Sequence, residues 1–600
     1  MKRLLSYMAK YRKESLIAPL FKMLEASFEL FVPLVVASMI DTGIWNQDIP
    51  YILKMGGILA ALAVIGIVCS LTAQYFAAKA AIGAGTGLRN DLFAHINRLS
   101  YREIDQIGTA TLITRMTNDI NVVQNGVNMV LRLFLRSPFV VFGAMIMAFT
   151  VDVKGALVFV CAIPMLSVVV FGILLVSMPL YKKVQKQLDK VTQSTRETLL
   201  GVRVIRAFNR QESETRHFEE ENTVLVKLQV FVGKISALLN PVTYVIINVA
   251  IVVLIWTGAC QVNAGTLTQG KVVALVNYMS QILVELIKLA NLIVTITKAI
   301  ACGNRIQSVF ELQPSLTDPA AQTGQKDAAA ASAPSGNVGT ASGRTAVPAV
   351  SFEHVCLTYK NAGAESLTDI DFRAWPGQTI GVIGGTGSGK SSLVNLIPRF
   401  YDATKGRVLV DGRDVKEYPL KELRGKIGMV LQKSVLFQGT IRENLLWGKE
   451  DASDEELYRA LEIAQARDFV EEKDGGLDAV VAQGGKNLSG GQRQRLTIAR
   501  ALVRKPSVLI LDDSASALDY ATDARLRMAI RDMEGGPTVF IVSQRAASIR
   551  HADQIIVLDD GEVAGIGTHE QLLEGCAAYQ EIYYSQFEKN AAKTGAENRR

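Results

Sequence analysis

Two stretches of this 600-residue chain order their side chains as phosphate chemistry requires. The first, TIGVIGGTGSGKSS (379–392), reads as an apolar strand running into G-x-x-x-x-G-K-S, with Gly384, Gly389, Lys390 and Ser391 at the fixed positions. Its glycines let the backbone of Gly384, Gly385, Thr386, Gly387, Ser388 and Gly389 curl, so that consecutive N–H groups face phosphate oxygens. Lys390 then reaches the outer phosphates, Ser391 binds Mg²⁺, and Ser392 completes the set. The second stretch, LILDDSASALD (509–519), reads as a buried strand of Leu509, Ile510 and Leu511 delivering Asp512 and Asp513 to its C-terminal end. Asp512 is the carboxylate expected on Mg²⁺. The residue after it usually prepares water for attack and is usually longer than Asp513. Together the two stretches define an ATP site.

A third stretch, NLSGGQRQR (487–495), places Ser489, Gly490, Gly491 and Gln492 at a helix start, a second surface of hydroxyl and N–H groups for an anion. One domain does not need two phosphate cradles. The economical explanation is that this one faces a nucleotide held by another subunit, two domains sandwiching two ATP molecules head to tail.

The elements that position these residues follow from composition. Hydrophobic residues make up 49% of the chain against 20% charged, and the mean hydropathy is +0.22, so the apolar residues must be concentrated somewhere. They lie in six runs, near 16–40, 55–80, 130–151, 155–180, 235–260 and 272–297, each long enough to cross a hydrocarbon layer of about 30 Å as a helix. Lys2, Arg3, Lys10, Arg12 and Lys13 precede the first run, and Lys182, Lys183, Lys186, Lys190, Arg196, Arg203, Arg206, Arg210 and Arg216 follow the fourth. Basic residues at span ends stay cytoplasmic, so both termini are expected there. The first run has no small-residue cleavage site and reads as a retained span. This topology largely explains the net charge of +7; nucleic acid is not an expected partner.

The polar stretches near 80–128 and 181–232 keep a helical period, which predicts membrane helices continuing into the cytoplasm. Each bends where a short element could lie across the end, at SYREIDQIGTATLITRMTNDI (100–120) and LLGVRVIRAFNRQESE (199–214). An Ala/Ser/Gly/Thr/Pro-rich linker is expected over 313–348, a nucleotide-binding domain over 349–585 and a polar tail over 586–600. Six cysteines without CxxC spacing read as small buried hydrophobes, and five scattered histidines give no zinc pattern.

In these features the chain closely resembles the ATP-binding cassette (ABC) exporters, over almost its whole length apart from the linker. The resemblance rests on six spans followed by one nucleotide-binding domain, the phosphate loop 384–391, Gln432 in MVLQKSVLFQGTIRENL as the Q-loop, LSGGQ at 488–492, and SALD at 516–519 as the D-loop. It implies an α-helical membrane domain over 1–312, an α/β P-loop (RecA-like) domain after it, and coupling helices at the two bends. It also implies ATP and Mg²⁺ as cofactors, Gln432 near the metal, and Tyr359 stacking on adenine. Six spans with one cassette make half a transporter.

Two positions depart from the family pattern. Asp513 stands where the family has a Glu base, and Gln544, in IVSQR, stands where it has a switch His. Gln483 also replaces a usual Glu before the signature. Asp is one methylene short, and a miss of about 1 Å can cost on the order of 10²-fold in rate. Gln can donate a hydrogen bond but carries no charge. Beside an intact phosphate loop and signature, this pairing resembles the slow-site subunit of heterodimeric bacterial multidrug-type exporters. The expected partner has a true Glu and His and a signature departing from LSGGQ. A homodimeric lipid or peptide exporter, an ATP-gated regulatory membrane subunit, and an ordinary base role for Asp513 stay open. The expected substrate is hydrophobic or amphipathic and the setting a bacterial cytoplasmic membrane. Glu25 and Glu29, one turn apart in the first span, could attract cationic drugs or pair with Lys22, and Glu285 with Lys288 lies in the sixth.

Overall fold

The computed structural model describes residues 2–316, 318, 347–360, 362–514, 517–533 and 535–587. The expected linker and tail, and Ser516 of the D-loop, fall largely or wholly outside them. The chain forms two compact units, Met1–Asn97 with Ile107–Leu312, and Arg98–Gln106 with Gln313–Arg600.

The first unit is all helix. A short helix α1 (Lys2–Ala9) precedes six spans, Arg12–Ile44, Ile49–Ile96, Thr109–Val151, Val153–Leu200, Gln211–Asn263 and Gln269–Phe310. Every apolar run read from the sequence lies inside one of them. The second and fourth spans are 48 residues each, about 70 Å at ~1.5 Å per residue, more than twice the thickness of the hydrocarbon. On the second span the buried side chains are mostly small, Ala73, Ala77, Ala80, Ala81, Ala84 and Gly85, a seam that lets a neighbouring backbone approach closely. Its other faces expose Leu53, Val64, Ile67 and Leu71, apolar surface that suits lipid. For the same reason Cys161 and Cys260, expected to be buried, are exposed on span helices, while Cys69, Cys302, Cys356 and Cys576 are buried.

The transverse elements are shorter than the sequence suggested. Of 100–120, only α2 (Tyr101–Ile107) is a separate helix; Gly108, at φ +81°, turns the chain, and the third span begins at Thr109. A residue with a Cβ rarely adopts that backbone. Of 199–214, only α3 (Val202–Ala207) stands apart, between Gly201 and the fifth span.

The second unit is α/β. Strands β1 (Val350–Leu357), β2 (Leu367–Ala374), β3 (Thr379–Gly384), β4 (Lys405–Val410), β5 (Arg413–Asp414) and β6 (Ile427–Val430) come first. They are followed by β7 (Gly439–Thr440), β8 (Val480–Val481), β9 (Val508–Asp512), β10 (Thr538–Val542), β11 (Gln554–Asp559) and β12 (Glu562–Gly567). The large sheet runs β12-β11-β3-β10-β9-β6, parallel except for β12. Its central strands read as continuous apolar runs because both faces are covered; β9 and β10 are buried at every position. A second sheet, β2-β1-β4-β5, is antiparallel. β1 belongs to that second sheet, and β2 separates it from β3 along the chain.

Candidate nucleotide site and membrane cavity

In register, Val382 of β3 pairs with Val542 of β10, Val542 with Asp512 of β9, and Leu511 with Val430 of β6. The segments leaving these four strands carry the phosphate loop, Gln544, Asp513 and Gln432, so parallel pairing gathers four sequence-distant stretches at one sheet edge. That carboxyl edge is where open α/β sheets bind ligands.

A cavity of about 380 Å³ opens there, lined by Tyr359, Thr386, Gly387, Gly389, Lys390, Ser391, Ser392, Gln432, Asp512, Asp513 and Gln544. Ser366, Val542 and Ser543 complete the lining. Ser366, just before β2, carries no motif that would have pointed to it; Ser543 sits beside Gln544 at the end of an apolar strand. Gly384 and Ser388 are buried and Gly385 is exposed; all three are acceptors for the Lys390 ammonium, which donates to Gly384 O (2.9 Å), Gly385 O (2.5 Å) and Ser388 Oγ (3.4 Å). A Cβ on Gly384 would meet Leu558 O at 2.2 Å, and one on Gly389, at φ +92°, would meet Ser366 O at 2.8 Å; neither position admits a side chain. Gly389 precedes α4 (Lys390–Leu396).

The charges of the pocket are desolvated. Burial pushes the Lys390 ammonium down, opposed by Asp512 and Asp513. Burial likewise pushes the Asp512 carboxyl up, opposed by the Ser391 hydroxyl, which donates to Oδ1 at 3.1 Å. A hydroxyl and a carboxylate in contact, with the Gln432 amide nearby, form the hard oxygen set that suits Mg²⁺. Gln432 Nε2 lies 3.4 Å from Asp513 Oδ2. Asp513 itself sits at φ +47°, a backbone region that Asp enters more readily than most side chains, which gives its identity a conformational reason beside the catalytic one. Tyr359 donates or accepts with Ser392 Oγ at 3.0 Å and meets Tyr401 edge-on at 5.2 Å. Tyr401 in turn donates to Asp105 of α2 at 2.6 Å.

Ser489, Gly490, Gly491 and Gln492 do not join this pocket. Ser489 caps α5 (Gly490–Val503) reciprocally with Gln492: Gln492 N–H donates to Ser489 Oγ at 3.2 Å, and Ser489 N–H to Gln492 Oε1 at 3.1 Å. Gln483 lies in a one-turn helix just before it, Gln483–Gly485.

In the membrane unit the acids singled out earlier separate. Glu25 is held by Lys22 at 2.6 Å, and Lys22 also donates to Ser70. Glu29 instead pairs with Arg136 of the third span (2.6 Å); Arg136 pairs with Glu285 of the sixth (2.5 Å), and Glu285 with Lys288 (2.8 Å). Arg136, which the sequence reading passed over, is the centre of this network; its signal was one of two arginines, with Arg132, at the start of an apolar run. A cavity of about 490 Å³ lies beside it, with Val32, Pro33, Val36 and Val140 on the first and third spans and Asn277, Ser280, Gln281 and Val284 on the sixth.

Residues 15–286 match the family model described as ABC transporter transmembrane region, and 367–516 the one described as ABC transporter. An ABC transporter ATP-binding protein of Bacillus subtilis (strain 168) is 35% identical over 594 residues, covering 99% of this chain and 100% of that protein. A protein named ATP-dependent lipid A-core flippase from Chromobacterium violaceum is 30% identical, covering 98% of both. Among solved structures, a bacterial Atm1-family ABC exporter with ATP bound superposes with a TM-score of 0.76 at 23% identity, over 97% of this chain and 99% of that one. That likeness concerns the fold.

Proposed function

Because this chain belongs to the ABC transporter family, as an exporter half with a six-span membrane region and one ATP-binding domain, we propose that it drives export of amphipathic or drug-like small molecules as the slow-site subunit of a heterodimer. The observation that carries this reading is the composition of the nucleotide pocket: its phosphate-binding parts are complete, while Asp513 and Gln544 occupy the two hydrolytic positions.

Lys390 neutralises the outer phosphates, and the N–H groups of the curled loop bind their oxygens. Ser391 and Asp512, with Gln432 beside them, would hold Mg²⁺, which would supply neutralisation of phosphate charge. Tyr359 stacks on the adenine. Asp513 reaches about 1 Å less far than Glu toward the attacking water, and Gln544 offers the γ-phosphate a neutral donor. The ATP therefore binds here and turns over slowly. Ser489, Gly490, Gly491 and Gln492 serve the ATP of the partner, a different chain with Glu and His and a weaker signature of its own. The pair sits in a bacterial cytoplasmic membrane with termini and ATP sites in the cytoplasm. A homodimeric lipid exporter is the second reading, supported by the similarity to proteins named lipid A-core flippases.

The test is a comparison of two variants in the co-purified complex. Asp513→Asn changes ATP turnover only a few-fold, since little catalysis depends on that group. Gly491→Asp abolishes turnover while ATP stays bound at Lys390, because a Cβ there already lies 3.2 Å from Ala517 O and the new carboxylate would face the partner's γ-phosphate. Equal loss in both variants would place the hydrolytic site here and remove the division of labour.

A further inference from the structure

At membrane depth, four side chains form a row of alternating charge: Glu29, Arg136, Glu285, Lys288. The inner two are buried, with side chains 7% and 4% exposed, whereas the end members Glu29 and Lys288 are each 42% exposed and line the cavity. Glu285 has a further donor in Ser137 at 2.9 Å. The row is thus electrically neutral, with Arg136 Nη1 and Nη2 and both Glu285 oxygens paired and Arg136 Nε without a hydrogen-bond partner, and it presents one negative and one positive end to the same space.

Resting on the export reading above, we propose that this cavity binds a zwitterionic amphiphile, its ammonium at Glu29 and its anionic group at Lys288. A net cation would bring an uncompensated charge against a row that already neutralises itself, in a medium where an unpaired charge is costly. A zwitterion adds none and pairs both ends. Of the two alternatives open for Glu25 and Glu29, cation attraction or pairing, both acids are paired: Glu25 with Lys22 of its own helix, and Glu29 with Arg136. The rest of the lining fits an amphiphile. Val32, Val36 and Val140 give an apolar wall, and the sixth span adds Asn277 and Gln281. Gln281 Oε1 is a buried acceptor without a hydrogen-bond partner, which favours a headgroup whose ammonium carries N–H donors. Lone buried acceptors cost free energy until a donor arrives.

Binding to the full-length chain in non-ionic detergent, without ATP or partner, tests the assignment with four probes: lysophosphatidylethanolamine, dodecylammonium, dodecyl phosphate and chain-free glycerophosphoethanolamine. The zwitterionic amphiphile should bind about tenfold more tightly than either the cationic or the anionic one, and the chain-free headgroup should fail to compete. Glu29→Gln should shift preference toward the phosphate and Lys288→Gln toward the ammonium, each weakening the zwitterion about tenfold, the scale of one lost charge-assisted contact. Lys288→Arg, which keeps the charge, should keep the ranking and guards against a folding defect. Probes bound within about threefold of one another, a ranking unmoved by both Gln variants, or a headgroup that competes without its chain would overturn the proposal. Selective binding without ATP-driven movement of the probe by the partnered protein would instead overturn the export reading alone.

Discussion

In the membrane unit, Arg136 and Lys288 stand against Glu29 and Glu285, two charges of each sign in direct contact. In the nucleotide pocket, Asp512 and Asp513 stand against Lys390, and the ammonium bonds to loop carbonyls and a hydroxyl rather than to either acid. The first arrangement balances its own charges. The second carries an excess of acid that Mg²⁺ suits, and a cradle of N–H groups that phosphate suits. A buried group that already has its partner holds the fold together; one whose environment disfavours its charge is poised for a ligand. The direction of the shifts at Lys390 and Asp512, each toward its neutral form through burial, belongs to the second kind.

Removing a member should therefore cost most where the charges are already paired with one another. Arg136→Met leaves Glu29 and Glu285 without their shared cation inside the spans, and a broken buried pair is worth about 3–5 kcal/mol. The expected result is a large fall in thermal stability in detergent, partly recovered when Glu29 and Glu285 are also replaced by Gln and Leu. If the triple variant is no more stable than the single one, the row is not a coupled unit. Lys390→Ala is the corresponding removal in the nucleotide pocket. It should weaken ATP photolabelling of this chain by roughly 10- to 100-fold, the range for hydrogen bonds to a charged group. It should leave thermal stability nearly unchanged, because no acid loses a direct partner. A stability loss as large as that of Arg136→Met would erase the contrast between the two regions.

The same contrast explains what the sequence made legible. Phosphate binding needs backbone curvature, so it is written as contiguous glycines, and Gly384 to Ser392 were readable without a structure. Six spans were readable because lipid selects long apolar runs. Pairing across spans left no local trace: Arg136 meets Glu29 and Glu285 across separations of 107 and 149 residues, and only the folded helices show that Glu25 and Glu29, one turn apart, have different partners. The extent of α2 was misjudged because Thr109 to Asp119 keeps a helical pattern whether it lies across the span end or along the span; the single glycine at 108 decides it. Ser366 joins the nucleotide pocket through the turn before β2, and turns without a motif give no functional signal. The antiparallel sheet containing β1 is not legible in the sequence because a strand pattern does not say which sheet it joins.

A smaller effect concerns a buried titratable group of a third kind, kept neutral. His569 opens α6 (His569–Gly575) with its ring buried against α7 (Ala577–Gln586), where Nδ1 lies 2.8 Å from Tyr579 Oη. Burial holds the imidazole below its ordinary pKa; Arg550 adds to this, Glu570 opposes it, and His551 contributes last. Tyr579 is pushed up to about 12 by burial and keeps its proton throughout the range that matters. Because the folded pKa lies below the unfolded one, the unfolded chain binds the proton first as pH falls. Stability is full above the unfolded value of about 6.5, declines below it, and levels off once the folded pKa is passed. His569→Gln removes that proton and its pH dependence. Between about pH 7.5 and about pH 5.5 the wild-type Tm should fall by roughly 1–3 °C more than that of the variant. Parallel Tm curves for the two proteins would mean that the imidazole charges as readily in the fold as in water, and that this corner of the nucleotide unit accepts a lone buried charge that the membrane row accepts only in pairs.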